Sequence, residues 1–100
     1  MSQEPNKMSE EAIKECFGEN LKFARMRLGL SQTELAARAD VQRMVVGNVE
    51  KGDHNATFKV LVRLCLAVGY HPTDLFNPGF LQFAPRAVAA ENAASMDGSK

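Results

Sequence analysis

No apolar run in this chain approaches the roughly 20 residues that a membrane span needs. The stretch Met1 to Glu11 is polar and has no apolar segment that could act as a secretory signal. No membrane association is expected, and the expected compartment is the cytoplasm. Cysteine is scarce: Cys16 and Cys65 are widely separated, with no CxxC and no Cys/His cluster. That spacing argues against a disulfide framework and a structural zinc site, and leaves each cysteine as a small hydrophobe. There is no Gly-rich phosphate loop and no nucleophile, base and acid arrangement. His54 lies in a turn, and His71 directly precedes Pro72. Neither has a companion at metal-ligand spacing, and Asp53 and Asp74 read as a turn residue and a first-turn acid. The chain is therefore not expected to be an enzyme or to hold a metal or cofactor.

Net charge is also missing, since twelve Lys/Arg balance twelve Asp/Glu. The balance conceals an asymmetry. Residues 20–63 hold eight basic residues (Lys22, Arg25, Arg27, Arg38, Arg43, Lys51, Lys59, Arg63) against four acids (Glu34, Asp40, Glu50, Asp53). The middle of the chain is thus positive and could face a polyanion, while the flanks are negative. With 100 residues, 45% hydrophobic and 24% charged, the composition is that of one soluble globular domain with tails.

Hydrophobic periodicity reads as a string of short helices. Ser9 with Glu10 and Glu11 starts the first, and Ile13, Phe17, Leu21, Ala24 and Leu28 make one apolar face that Gly29 ends. Gly18 inside this stretch suggests that residues 9–16 form a separate or fraying turn, with the core helix at 17–28. Ser31 and Glu34 form a capping box for a second helix from Gln32, with Leu35 and Ala36 inward. After a break at Asp40 and Val41, a third helix runs from Gln42 or Arg43 to Val49, with Val45, Val46 and Val49 inward. Residues 50–56 are a turn. Thr57 caps a fourth helix with the stripe Phe58, Leu61, Val62, Cys65 and Val68, ended by Gly69. Pro72 opens a one-turn fifth helix whose Leu75 and Phe76 plug the bundle. Beyond it, Phe80, Leu81, Gln82 and Phe83 read as a short strand-like run. Three bulky apolar residues outside a complete five-helix core need a cover, either a second subunit or a fold back onto the same core. The organisation expected is a flexible terminus at 1–8, the helical domain at 9–77, an extension at 78–94 that is a candidate dimerisation segment, and a disordered tail at 95–100.

Two short helices joined by a tight break, with a small residue (Ala39) at the crossing, make a helix-turn-helix pattern whose second helix can enter the DNA major groove. The segment LKFARMRLGLSQTELAARADVQRMVVGNVEKG, with the following helix TFKVLVRLCLAVGYHPTDLF, resembles the Cro/cI-like (XRE) family of helix-turn-helix regulators over about residues 17–77. The resemblance implies an all-α, five-helix, lambda-repressor-like domain with the helix-turn-helix in helices 2 and 3. Its partner would be double-stranded DNA, bound as a homodimer on a pseudo-palindromic operator, and its role that of a transcriptional regulator, most often a repressor. It also implies that Gln32 touches a phosphate and braces the recognition helix. Base contacts would come from Gln42, Arg43, Met44, Gly47 and Asn48. Glu50 would be structural and paired with an arginine of the first helix, Arg27 first and Arg25 second.

Side-chain chemistry points the same way. Arg43 can fork onto guanine O6 and N7. The amides of Gln42 and Asn48 suit adenine edges or phosphates, and Met44 suits a thymine methyl. Thr33 with Gln32 opens a helix N-terminus fit for a phosphate, while Lys51, His54, Asn55 and Lys59 flank the backbone. Two features depart from the family pattern: Gln42 stands where a Ser or Thr cap is usual, with Asp40 as a stand-in, and Gly47 lies inside the recognition helix. Gly47 fits close approach to DNA or to the preceding helix, a helix that orders only on binding, or a domain that no longer reads DNA. The alternatives in function are an antitoxin that also binds a toxin, a restriction-modification controller, and a protein-interaction module without DNA binding. For an antitoxin, the partner surface would be Phe80, Leu81 and Phe83 or the acidic N-terminal extension.

Overall fold

The computed structural model describes residues 9–53 and 55–82, and it is helical wherever it is regular. Five helices follow in order: α1 (Glu10–Arg27), α2 (Gln32–Ala39), α3 (Arg43–Lys51), α4 (Phe58–Val68) and α5 (Pro72–Leu75). A sixth helical turn, α6, covers residues 80–82. Helix α1 packs against α3, α4 and α5, and α2 packs against α3 and α4. The core they enclose contains Phe17, Leu21, Ala24, Leu35, Ala36, Ala39, Val46, Val49, Leu64, Cys65, Val68 and Leu75.

Helix starts follow the local chemistry. Ser9 Oγ accepts from Ala12 N at 3.0 Å and Thr57 Oγ1 from Val60 N at 3.2 Å. Ser31 and Glu34 complete the capping box in both directions, at 3.0 and 2.8 Å. Each such cap satisfies an amide that the first turn leaves without a partner. His71 supplies a cap that composition does not suggest: its Nδ1 accepts from Thr73 N, and Asp74 accepts from His71 N. Helices α3 and α4 end on left-handed Gly52 and Gly69, whereas α2 ends on left-handed Asp40 at φ 60°, a conformation Asp tolerates better than most residues. That geometry makes Asp40 the C-cap of α2, and it does not serve as the stand-in cap of α3. Gln42 begins α3 with no side-chain cap hydrogen bond.

Three expectations about the core are corrected. Helix α1 is unbroken through Gly18, because the glycine is an α1–α3 crossing point and not a breaker. A Cβ there would lie 2.8 Å from Glu50 O and closer still to Val49 O. Phe58, although in phase with Cys65, sits in the first turn of α4 and stays 75% exposed, while Leu64 is buried. Phe80 is not on a strand open to a partner: it begins α6 and is fully buried in its own chain, edge-on to Tyr70 at 4.9 Å and to Phe23 at 6.3 Å. The core thus runs past residue 77. Leu81 remains 45% exposed, and Phe83 lies outside the described residues, as do residues 1–8, His54 and the rest of the tail. Phe76 is partly exposed but packs its ring on Phe17 at 4.5 Å.

Asn20 is a buried polar residue that the apolar pattern passes over. Its Nδ2 donates to Leu75 O at 2.7 Å and Asn77 O at 3.1 Å, so α1 satisfies carbonyls at the end of α5. Burial pushes the Cys65 thiol up to about 12, with the Asp74 charge adding to the effect, so this cysteine is a protonated, core-filling group. Gly18→Ala should be destabilising despite alanine's higher helix propensity, by about 1–3 kcal/mol in urea denaturation, because α3 must move off α1. A more stable variant would show that the crossing has slack.

Candidate nucleic-acid interface

The outer side of the helix-turn-helix is built on a buried electrostatic anchor. Arg25 Nε donates to Glu50 Oε2 at 2.6 Å and its Nη2 to Glu50 Oε1 at 3.0 Å, while Nη1 donates to Leu30 O at 2.7 Å. Gln32 Nε2 donates to the same Oε1 at 3.0 Å. The side chains of Arg25 and Glu50 are only 12% and 3% exposed. One carboxylate near the end of α3 is thus held by the last turns of α1 and the first residue of α2.

Glu50 pairs with Arg25, the second choice, and not with Arg27. The reason is helical phase: Arg25 lies two turns after Gly18, on the side of α1 that crosses α3, and Arg27 projects well around the helix from it. Gly18 was the available signal, since a glycine that admits a crossing helix marks the side from which that helix's partners come.

Above the anchor, Gln32, Arg43, Met44, Gly47, Asn48 and Lys51 line one depression. Of the residues expected from sequence to meet DNA, these six come together. Arg43 and Lys51 are exposed, Met44 is 67% exposed, and Asn48 and Gly47 are half-buried. Asn48 also lines a neighbouring hollow with Val45, Asp53, Asn55 and Ala56, which carries the surface on to Asn55. Asn55 is already engaged, accepting from Lys14 Nζ at 3.2 Å. Gln42, Thr33 and Lys59 are exposed but lie outside both hollows, and His54 lies outside the described residues. At the start of α2 the capping box takes the Glu34 amide, which leaves the Gln32 and Thr33 N–H groups without an intrahelical acceptor.

The arrangement can recognise a polyanion bearing hydrogen-bonding edges: a short helix with a protruding arginine and methionine, flanked by amides and a lysine. Among the described residues no group of three or more His, Cys, Asp or Glu could hold a metal, and no helix is long and apolar enough to cross a membrane.

Comparison with known proteins agrees with this geometry. The helix-turn-helix family profile matches residues 21–75, which contain α2, α3, α4 and α5. The chain belongs to this family, of the Cro/cI-like (XRE) type, whose members are DNA-binding transcriptional regulators. Among solved structures, the restriction-modification controller protein C.AhdI from Aeromonas hydrophila is 34% identical, with a TM-score of 0.59 over 62% of this chain and 94% of that one. The clp gene regulator ClgR from Corynebacterium glutamicum is 23% identical, with a TM-score of 0.63 over 87% of this chain and 93% of that one, and shares the fold. No curated protein sequence matches the chain.

Removing one partner of the anchor leaves the other charge buried. Arg25→Ala should therefore lower stability by about 3–5 kcal/mol, measured by urea denaturation. A change within about 0.5 kcal/mol would mean that water already solvates Glu50.

Proposed function

We propose that the protein is a homodimeric repressor that occupies a pseudo-palindromic operator, each protomer laying α3 in the major groove of one half-site. The observation that carries this reading is the single outer surface on which Arg43, Met44 and Asn48 of α3 meet Gln32 of α2 and Lys51. Arg43 reads guanine through O6 and N7, Met44 packs on a thymine methyl, and Asn48 and Gln42 offer amides to adenine edges or phosphates. Gln32, Thr33, Lys51, Asn55 and Lys59 hold the sugar-phosphate backbone. Residues 9–77 carry the DNA-binding function, and α6 completes their core. Exposed Leu81 remains a candidate for the dimer contact.

A second reading, that of a controller of a restriction-modification system, draws support from the likeness to C.AhdI, which extends over nearly all of that chain. Both readings predict binding to a two-fold operator, and they differ in what lies beside it in the genome.

The test is selection of bound duplexes from a random library, followed by titration of the enriched site and a scrambled control at two salt concentrations. Enrichment of a two-fold sequence, with half-sites near one helical turn apart, is expected. Arg43→Ala should weaken binding to that site by about 1–3 kcal/mol and to scrambled DNA far less. Equal losses on both would remove Arg43 from base recognition, and no enrichment by the folded protein would favour a protein-interaction module.

A further inference from the structure

Two glycines lie inside the described helices, and the fold explains only one of them. Gly18 is required because α3 backbone occupies the place of its Cβ. Gly47 has no such reason. A Cβ there would meet only the Gln32 amide, Oε1 at 3.6 Å and Nε2 at 3.9 Å, which is ordinary van der Waals contact. Its backbone is not in the left-handed region either. Glycine at this position therefore weakens α3 relative to alanine without relieving any clash, and close approach to the preceding helix does not account for it.

What lies beneath Gly47 gives it a use. The Gln32 amide is held in place by Glu50, to which Nε2 donates one of its two hydrogens. The same amide lines the outer depression together with Gly47, Arg43 and Lys51. A methyl on residue 47 would rest on this amide, where a phosphate oxygen must come within about 3 Å of Nε2 to accept a hydrogen bond. We propose that Gly47 is a positioning residue for DNA backbone recognition. Its missing side chain keeps the Gln32 amide uncovered, so that Nε2 donates its second hydrogen to a phosphate oxygen between the positive charges of Arg43 and Lys51. The role, which rests on the proposed DNA-facing function of α3, makes Gly47 act through Gln32 and not by touching a base.

The test is a double-mutant cycle on the full chain. Wild type, Gly47→Ala, Gln32→Ala and the double variant are each titrated with the selected duplex and a scrambled one at two salt concentrations, with thermal melting alongside. Gly47→Ala should melt at or above the wild-type temperature yet bind both duplexes about tenfold or more weakly, the usual scale of a hydrogen bond to a charged group. The double variant should bind no worse than Gln32→Ala alone. The salt dependence should not change, since both groups are neutral and displace no counterions. Additive losses, unchanged affinity in Gly47→Ala, a loss confined to the selected duplex, or a lower melting temperature would each overturn the role. If wild type binds neither duplex, the DNA-binding function fails first and Gly47's role with it, a result visible before any substitution is compared.

Discussion

A guanidinium and a carboxylate, both almost withdrawn from water, hold this molecule's working surface in place. Burying them costs several kcal/mol per ion, which is offset only where the geometry is close and the remaining hydrogen-bonding groups are used. Here Arg25 places three nitrogens on Glu50 and on the Leu30 carbonyl, and Glu50 uses its shared oxygen to accept from Gln32 as well. The pair joins the end of α1, the loop after it, the start of α2 and the end of α3. Apolar contacts through Val46, Val49, Leu35 and Ala36 bring α2 and α3 together, but such contacts tolerate sliding. A bidentate pair does not, and so it fixes where the outer face of α3 stands relative to Gln32. Preorganisation of this kind leaves less to be ordered when a ligand binds.

The two helical glycines divide the labour on either side of that anchor. Gly18 lets the backbones of α1 and α3 meet closely enough for Arg25 to reach across at 2.6 Å. Gly47, one turn before Glu50 on α3, leaves room over the Gln32 amide that the anchor holds. One position serves packing and the other the surface, although both carry the same propensity cost.

Much of this was legible in the sequence, because helical structure writes a periodic signal. The capping box of Ser31 and Glu34, the Thr57 cap, the stop at Gly69 and the inward set Leu35, Ala36, Val46 and Val49 all follow from local pattern, whereas α3 runs past the expected end at Val49 to Lys51 and stops on left-handed Gly52. What pattern does not carry is which neighbour a face will meet. Choosing Arg25 over Arg27 requires knowing which side of α1 meets α3. Reading Gly18 as a crossing point requires a second helix, and so does finding that Asn20 serves the end of α5. Phe58 shows the reverse error, since phase alone put it inside although the first turn of α4 leaves it in water. Phe80 needs a cover by composition alone, and it finds one between Tyr70, ten residues before it, and Phe23 of α1, far away in sequence.

If the anchor exists to set the surface and not merely to hold the fold, its two functions can be separated. Buried ion pairs can often be replaced by apolar residues of similar volume with little loss of stability. The direct measurement is therefore operator affinity of the Arg25→Met, Glu50→Leu double variant, alongside its melting temperature. A fold that melts near the wild-type temperature but binds the selected duplex at least about tenfold more weakly, as expected when the Gln32 amide loses its acceptor, is the predicted result. A stable double variant with wild-type affinity would contradict the account, because the surface would then be positioned by apolar packing alone.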